Sequence, residues 1–248
     1  MIRLADIPTR APGELKKSDI KRKTDRMARR IGDLQHILYA QKKHSLLVVL
    51  QGMDASGKDG ATRKVFTYCN PKGLDAFGFG KPTEEEFAHD FLWRVHRHAP
   101  AKGHIQVFIR SHYEDILVQR VHQWIDEDTV TERIRAINAW EANLQRDNHT
   151  TILKFYLHLS PERQLEKLQE RIDDPRKQWK HNPADWKERE LWPRYMECYE
   201  DALNRSETPW IVAPVDQRWY RDYFIAEKVL QTLDSLDLKL PTLDLSKT

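Results

Sequence analysis

The chain is poor in cysteine. It has two in 248 residues, Cys69 and Cys198, far apart and not in metal-ligand spacing. That excludes a disulfide framework and a cysteine zinc site, and it fits a reducing compartment. Long apolar runs are missing as well. None approaches the ~20 residues of a membrane helix, and the N-terminal stretch MIRLADIPTRAPGELKKSDIKRKTDR lacks the apolar core of a secretory signal. The protein is therefore expected in the cytoplasm, without a membrane partner. An excess of one charge is missing too: 41 Lys and Arg against 38 Asp and Glu leave a net +3. Basic residues interleaved with stacking aromatics are absent outside one short stretch, which argues against a nucleic-acid partner. No internal repeat and no linker divides the sequence, and a 40% hydrophobic content can build a core.

What is present is an alternation of strand and helix signals. Residues 1–23, with Pro8, Pro12, Gly13 and then KKSDIKRK, read as an extended N-terminal arm, either solvated or docked on an anion or a neighbouring subunit. From about Thr24, apolar residues recur at helical spacing and lead to a strand at Leu46–Leu50. A helix from about Lys58 to Cys69, a short strand near Ala76–Gly80 and a capping-box helix opening at Thr83-Glu84-Glu85-Glu86 follow. Strands are expected at His104–Ile109, Ile152–Leu159 and Trp210–Val215. Helices are expected at Tyr113–Trp124, Thr131–Arg146, after Ser160-Pro161-Glu162, at Leu191–Leu203 and at Tyr220–Leu236. The polar, basic and aromatic run 173–190 interrupts the pattern. Such alternation predicts one α/β domain over 1–248, a mostly parallel sheet flanked by helices on both faces.

The chemistry concentrates in LLVVLQGMDASGKDG, residues 46–60. A strand, a loop of the form Gly-x4-Gly-Lys and a helix surround one anion with backbone N–H groups and a helix N-terminus. Gly52, Ala55, Ser56, Gly57, Lys58, Asp59, Gly60 and Arg63 form the candidate phosphate and nucleotide contact, with Lys58 as its cation. The hydroxyl residue that commonly follows the lysine and ligates Mg²⁺ is replaced by Asp59. Asp54, inside the loop, is a candidate metal anchor because a hard cation prefers oxygen ligands; as a turn residue it would bond its own backbone instead. Asp59 in the first helical turn also simply suits the helix dipole.

GMDASGKDG resembles the Walker A segment of the polyphosphate kinase 2 family, and NPKG (70–73), HDFLWR (89–94), RSHYED (110–115) and RKQWKHNPADWKERE (176–190) fit the same family in the same order. The resemblance runs from about residue 30 to 240. It implies a P-loop kinase fold with a helical lid that includes 173–190. It also implies reversible phosphoryl transfer between inorganic polyphosphate and a nucleoside mono- or diphosphate with Mg²⁺, in a homo-oligomer, dimer or tetramer. Carried across, it assigns Asp54 to the metal, Lys58 and Arg110 to phosphate, and Glu114 to the site, with Asp115 beside it as a further metal candidate. RSHYE, in place of the family's RSWYN variant, resembles the group acting on AMP as well as ADP. One departure stands out: Ile109 occupies the position before the arginine where the family usually carries Asp or Asn.

Polyphosphate is a flexible polyanion, so its site is expected to be a groove of cations. The candidates are Lys81, Arg94, Arg97, Arg171, Lys177 and Lys180, with Trp179 and Trp186 as apolar anchors of the lid. The lid is expected to close and exclude water. Transfer is expected to be direct and in line, so that His89, His98, His112 and His122 need not act as nucleophiles. The loop alone also allows an ATP-dependent kinase of a small metabolite, or an impaired polyphosphate-binding protein with Ile109 as its lesion.

Overall fold

The apolar run at 46–50 has no polar side chain to satisfy, and it becomes the middle of the sheet. It lies in strand β1 (Ser45–Gln51), buried along its whole length. Period-two alternation sorts its side chains: Leu47 and Val49 enter one apolar cluster, Leu46, Val48 and Leu50 the other. The structure is a computed structural model that describes residues 1–243; residues 244–248, read from sequence as part of the same domain, lie outside the described residues. The other strands are β2 (Leu74–Gly78), β3 (Ile105–Ile109), β4 (Thr150–His158) and β5 (Trp210–Pro214). They form one all-parallel sheet in the order β2-β3-β1-β4-β5. The register sets Leu50 beside Ile109 on one side and Phe155 on the other.

In chain order the helices are α1 (Lys17–Gln41), α2 (Lys58–Val65), α3 (Glu84–Phe87), α4 (Trp93–His96), α5 (Glu114–Val121), α6 (Glu127–Asp147), α7 (Pro161–Asp173), α8 (Pro183–Glu190), α9 (Trp192–Arg205) and α10 (Arg218–Ser235). Ile31, Leu34 and Leu38 of α1, Ala61 and Val65 of α2, and Ile225 and Val229 of α10 cover one face of the sheet. Ile116 of α5, Ile137 and Trp140 of α6, and Tyr199 and Leu203 of α9 cover the other. Both faces are therefore closed, as an all-parallel sheet requires, in the layering of a P-loop kinase. Parallel strands all present their carboxyl ends to one edge, and β1 sits where the chain turns from one side of the sheet to the other. That is where an open α/β sheet forms its binding crevice.

Boundaries differ from the sequence pattern in instructive places. Helix α1 begins at Lys17, not near Thr24, because Ile20 and Thr24 already face inward. The arm ahead of it is held by its own chain. Leu4 is buried, its N–H donates to Glu200 Oε1 (2.6 Å), the Thr9 hydroxyl donates to Asp216 Oδ2 (2.8 Å), and the Ala11 N–H donates to Gln217 Oε1 (2.9 Å). Helix α2 stops at Val65, short of Cys69. The capping box forms as read: the Glu86 N–H donates to the Thr83 hydroxyl (3.2 Å) and the Thr83 N–H to the Glu86 carboxylate (2.9 Å). The run 173–190 contains a 3-10 turn at Gln178–Lys180 and helix α8.

Candidate active site at the carboxyl edge of the sheet

The loop from Gly52 to Gly57 leaves the end of β1 and enters α2. Gly57 is the N-cap of α2 with φ 95°, a left-handed conformation that favours glycine, and a Cβ there would collide with the Arg221 guanidinium of α10. A Cβ at Gly60 would lie 3.1 Å from the same guanidinium. Ala55 (φ 64°) and Arg110 (φ 63°) are left-handed without being glycine. Such strain persists only where the surroundings over-determine it, and it gathers at functional sites.

Lys58 turns back into the loop. Its Nζ donates to Gly52 O (2.7 Å), Met53 O (3.2 Å) and Ser56 Oγ (3.4 Å). All three are neutral oxygens. Burial and the Arg110 charge pull its ammonium down to about 8, against the opposing pull of Asp54, Glu114 and Asp59. The Arg110 Nη2 donates to Asp54 Oδ1 at 2.5 Å. Burial disfavours the Asp54 charge, but Lys58, Arg110 and Arg171 together hold its carboxyl below the ordinary value. Glu114 accepts from the Gln51 amide, and burial raises its carboxyl while Arg110 and Lys58 resist. Asp54, Lys58, Arg110 and Glu114 thus share one electrostatic neighbourhood at the mouth of the loop.

The remaining sequence candidates divide. Ser56 is buried inside the loop, Asp59 is exposed in the first turn of α2, and Arg63 is exposed on that helix. Asp115 turns away. It accepts from Gln119 (2.8 Å) and faces Arg94 (3.8 Å), and burial pushes its carboxyl up to about 6 although Arg94 and Arg133 oppose. Among the described residues no three His, Cys, Asp or Glu side chains are preassembled to hold a metal ion. Asp54 and Glu114 remain a suitable donor pair, because a small hard cation takes one or two carboxylates and completes its shell with phosphate and water.

The candidate polyphosphate cations are less free than their charge suggests. Arg94 is buried, donating to Gly80 O (3.1 Å) and Glu86 Oε2 (3.4 Å). Arg171 donates to Asp185 of α8 and to Lys180 O (3.2 Å), and Lys177 is paired with Glu170 (3.2 Å) and Asp174 (3.4 Å). Lys180 lies over the Trp179 ring (4.8 Å), Arg97 over the Trp93 ring (5.0 Å), and Lys81 is exposed. Trp179 is 78% exposed and so is not an apolar anchor; Trp186 is half-buried. Glu188 ties α8 to α9 and to the end of α5, accepting from Tyr195 (2.5 Å) and contacting His122 Nε2 (3.0 Å). His112 is a buried structural imidazole against Glu141, while His89 and His98 stack on Trp93 and Phe77.

Helix α7 supplies what the motifs did not show. Gln164 donates to Asp54 O and Lys167 to Ala55 O, both at 3.1 Å, so two residues one turn apart brace the strained part of the loop. Burial, with Arg221, Arg163 and Arg218 nearby, drives the Lys167 ammonium down to about 7. Burial is the larger cause, and the three guanidinium groups add to it against Asp216. A groove of about 1020 Å³ opens beside these guanidinium groups, lined in part by Arg10, Lys17, Lys21 and Lys64 and by Arg163 and Arg218, which Glu166 and Glu170 already pair. An adjoining hollow shares Lys21 and Lys64 and adds Arg22 and Arg26.

Comparison with known proteins bears on the family and the fold. The sequence profile of polyphosphate kinase 2 matches residues 14–241. The AMP/ADP-polyphosphate phosphotransferase of Meiothermus ruber is 46% identical over 216 residues, 86% of this chain and 80% of that protein. The ADP-polyphosphate phosphotransferase of Rhodopseudomonas palustris is 38% identical over 227 residues, 86% of this chain and 78% of that protein. The crystal structure of polyphosphate kinase 2 from Arthrobacter aurescens superposes with a TM-score of 0.95 at 37% identity, covering 98% of this chain and 89% of that one. A match over nearly all of the described chain, in profile, sequence and fold together, places it in a family: the chain belongs to polyphosphate kinase 2.

Proposed function

We propose that this protein transfers the terminal phosphoryl group of inorganic polyphosphate directly to AMP and ADP, reversibly and with Mg²⁺. The observation that carries the reading is Lys58: a buried ammonium at the anion-binding end of a helix, bonded only to neutral oxygens, inside a chain of this family. A phosphate oxygen entering the loop replaces weak carbonyl partners with a charged one, and burial strengthens that contact. Arg110, already beside the loop, adds a second cation to the transferring group. Asp54 and Glu114 would hold the Mg²⁺, which would supply neutralisation of the phosphate charge. Arg171 is positioned to exchange Asp185 for phosphate as the lid settles, a swap that makes closure depend on anion binding. The basic groove suits the body of the polyanion, so Arg163, Arg218, Lys17 and Lys21 join Lys81, Lys177 and Lys180 as its contacts, whereas Arg94 serves the fold.

The test is direct. The purified protein is incubated with Mg²⁺ and long-chain polyphosphate, and AMP, ADP, GMP and GDP are offered separately and resolved by chromatography. ADP and ATP are expected from AMP. Reaction of the diphosphates alone would remove AMP from the substrate list, and transfer from ATP in place of polyphosphate would overturn the donor. An Arg163→Ala/Arg218→Ala enzyme run in parallel should need several-fold more polyphosphate for the same rate; an unchanged requirement would move the polyanion out of the groove.

A further inference from the structure

A second ionic cluster lies between β4 and α6. Lys154 projects from the middle of β4 and is fully buried, as is Glu141 of α6. The Lys154 Nζ donates to Glu141 Oε2 (2.6 Å), to the Tyr113 hydroxyl oxygen (2.7 Å) and to Ser206 Oγ. The other Glu141 oxygen accepts from the Tyr113 hydroxyl (3.0 Å) and lies 3.3 Å from His112 Nε2. Ser206 in turn donates to Thr208 O (3.0 Å), and the ammonium sits over the rings of Tyr113 (5.0 Å) and Trp210 (5.1 Å).

Two features make this more than core filling. Apolar residues of similar volume usually serve stability as well as a buried ion pair does, so stability alone gives no reason to bury a lysine here. The cluster also converges on two consecutive residues, His112 and Tyr113, and these lie between Arg110 and Glu114. From the other side, the Ser111 hydroxyl donates to Gln51 Oε1 (3.3 Å) and accepts from the Tyr113 N–H (3.2 Å). The segment 111–113 is therefore clamped on both sides, while Arg110, in its left-handed conformation, and Glu114 face the phosphate loop.

We propose that Lys154 and Glu141 are positioning residues: through His112 and Tyr113 they hold Arg110 and Glu114 in register with the phosphate loop. This rests on the assignment of that loop as the phosphoryl-transfer site. The test replaces the pair by apolar residues in Lys154→Met/Glu141→Leu, with Glu141→Gln as the conservative variant and Tyr113→Phe as a milder cut should the double variant fail to fold. Backbone hydrogen exchange at 110–114 is read first, since it needs no activity. It should quicken about tenfold or more in the double variant or in Tyr113→Phe, with α1 and α10 unchanged and the thermal midpoint held. In the transfer assay, kcat should fall about 10–100-fold with the polyphosphate KM within twofold of the parent, and Glu141→Gln should recover part of the loss. Unchanged exchange at 110–114, or exchange that quickens equally throughout the fold, overturns the proposal. Parental kcat in a folded variant overturns it too. Absence of polyphosphate-dependent transfer in the parent would instead overturn the functional reading, with the exchange result standing apart from it.

Discussion

Two buried lysines, one opening helix α2 and one in strand β4, are treated in opposite ways. Lys58, 7% exposed, ends its side chain among two carbonyls and a hydroxyl. Lys154, fully buried, ends on a carboxylate. Burial lowers the affinity of both for their protons, and Glu141 opposes that effect directly at Lys154. Around Lys58 the carboxylate of Asp54 is engaged by Arg110 and that of Glu114 by Gln51. The contrast shows what distinguishes a binding cation from an architectural one. Both are inside the protein, but only one lacks a bonded anion, and it stands at a helix N-terminus where one can enter.

The largest effects should separate the two lysines cleanly. Lys58→Ala should lower kcat/KM by about 10²–10³-fold, the scale of losing one preorganised partner of transition-state charge, with the unfolding free energy changed by no more than about 1 kcal/mol. Lys154→Ala should do the reverse in stability: it strands Glu141 in the core and should cost about 3–5 kcal/mol. Denaturant unfolding and steady-state kinetics on the same two proteins check this. Full activity in Lys58→Ala, or parental stability in Lys154→Ala, would erase the distinction.

A smaller effect sharpens the Lys58 side. Asp54→Asn keeps the side-chain shape but removes the charge that both Arg110 and a metal ion would use. The Mg²⁺ concentration for half-maximal rate should rise about 10–100-fold, the range seen when support for a metal site is lost. An unchanged titration would leave Asp54 as a partner of Arg110 only and move the metal anchor to Glu114.

How much of this could be read from the sequence follows from distance along the chain. The loop was legible because β1, Gly52, Gly57, Lys58 and the start of α2 are contiguous, and each local preference agrees with the next. The capping box at Thr83–Glu86 was legible for the same reason. Arg94 reads from sequence as a polyphosphate cation; the structure buries it against Gly80 O, Glu86 and Asp115, and only the fold brings Asp115 to it. Gln164, Lys167 and Arg221 were missed because more than a hundred residues separate them from the loop they support, and a polar stripe on an amphipathic helix ordinarily faces water. Ile109 gains an explanation of place: it ends β3 beside Leu50 and Gly78 and packs on the apolar cluster of α1, α2 and α10, a setting that accepts an aliphatic side chain.

The subtlest consequence is a pH limb. Lys58 must be protonated to hold phosphate, and its ammonium lies at about 8 where free lysine has 10.5. In the free enzyme, kcat/KM should therefore bend downward near pH 8 and fall about tenfold per unit above it. Stability should move the other way through the same group. Between about 8 and 10.5 the unfolded chain keeps a proton that the folded site has released, so raising the pH across that window favours the folded state. Below about 8 both states are protonated, and the cost of the buried charge is fully present. Lys58→Arg tests the assignment, since a guanidinium stays charged throughout. Its residual activity should lose the bend near 8, whatever its absolute rate. A limb that persists at the same pH in Lys58→Arg belongs to another buried cation, with Lys154 the first to examine because burial draws its ammonium down to about 8 as well.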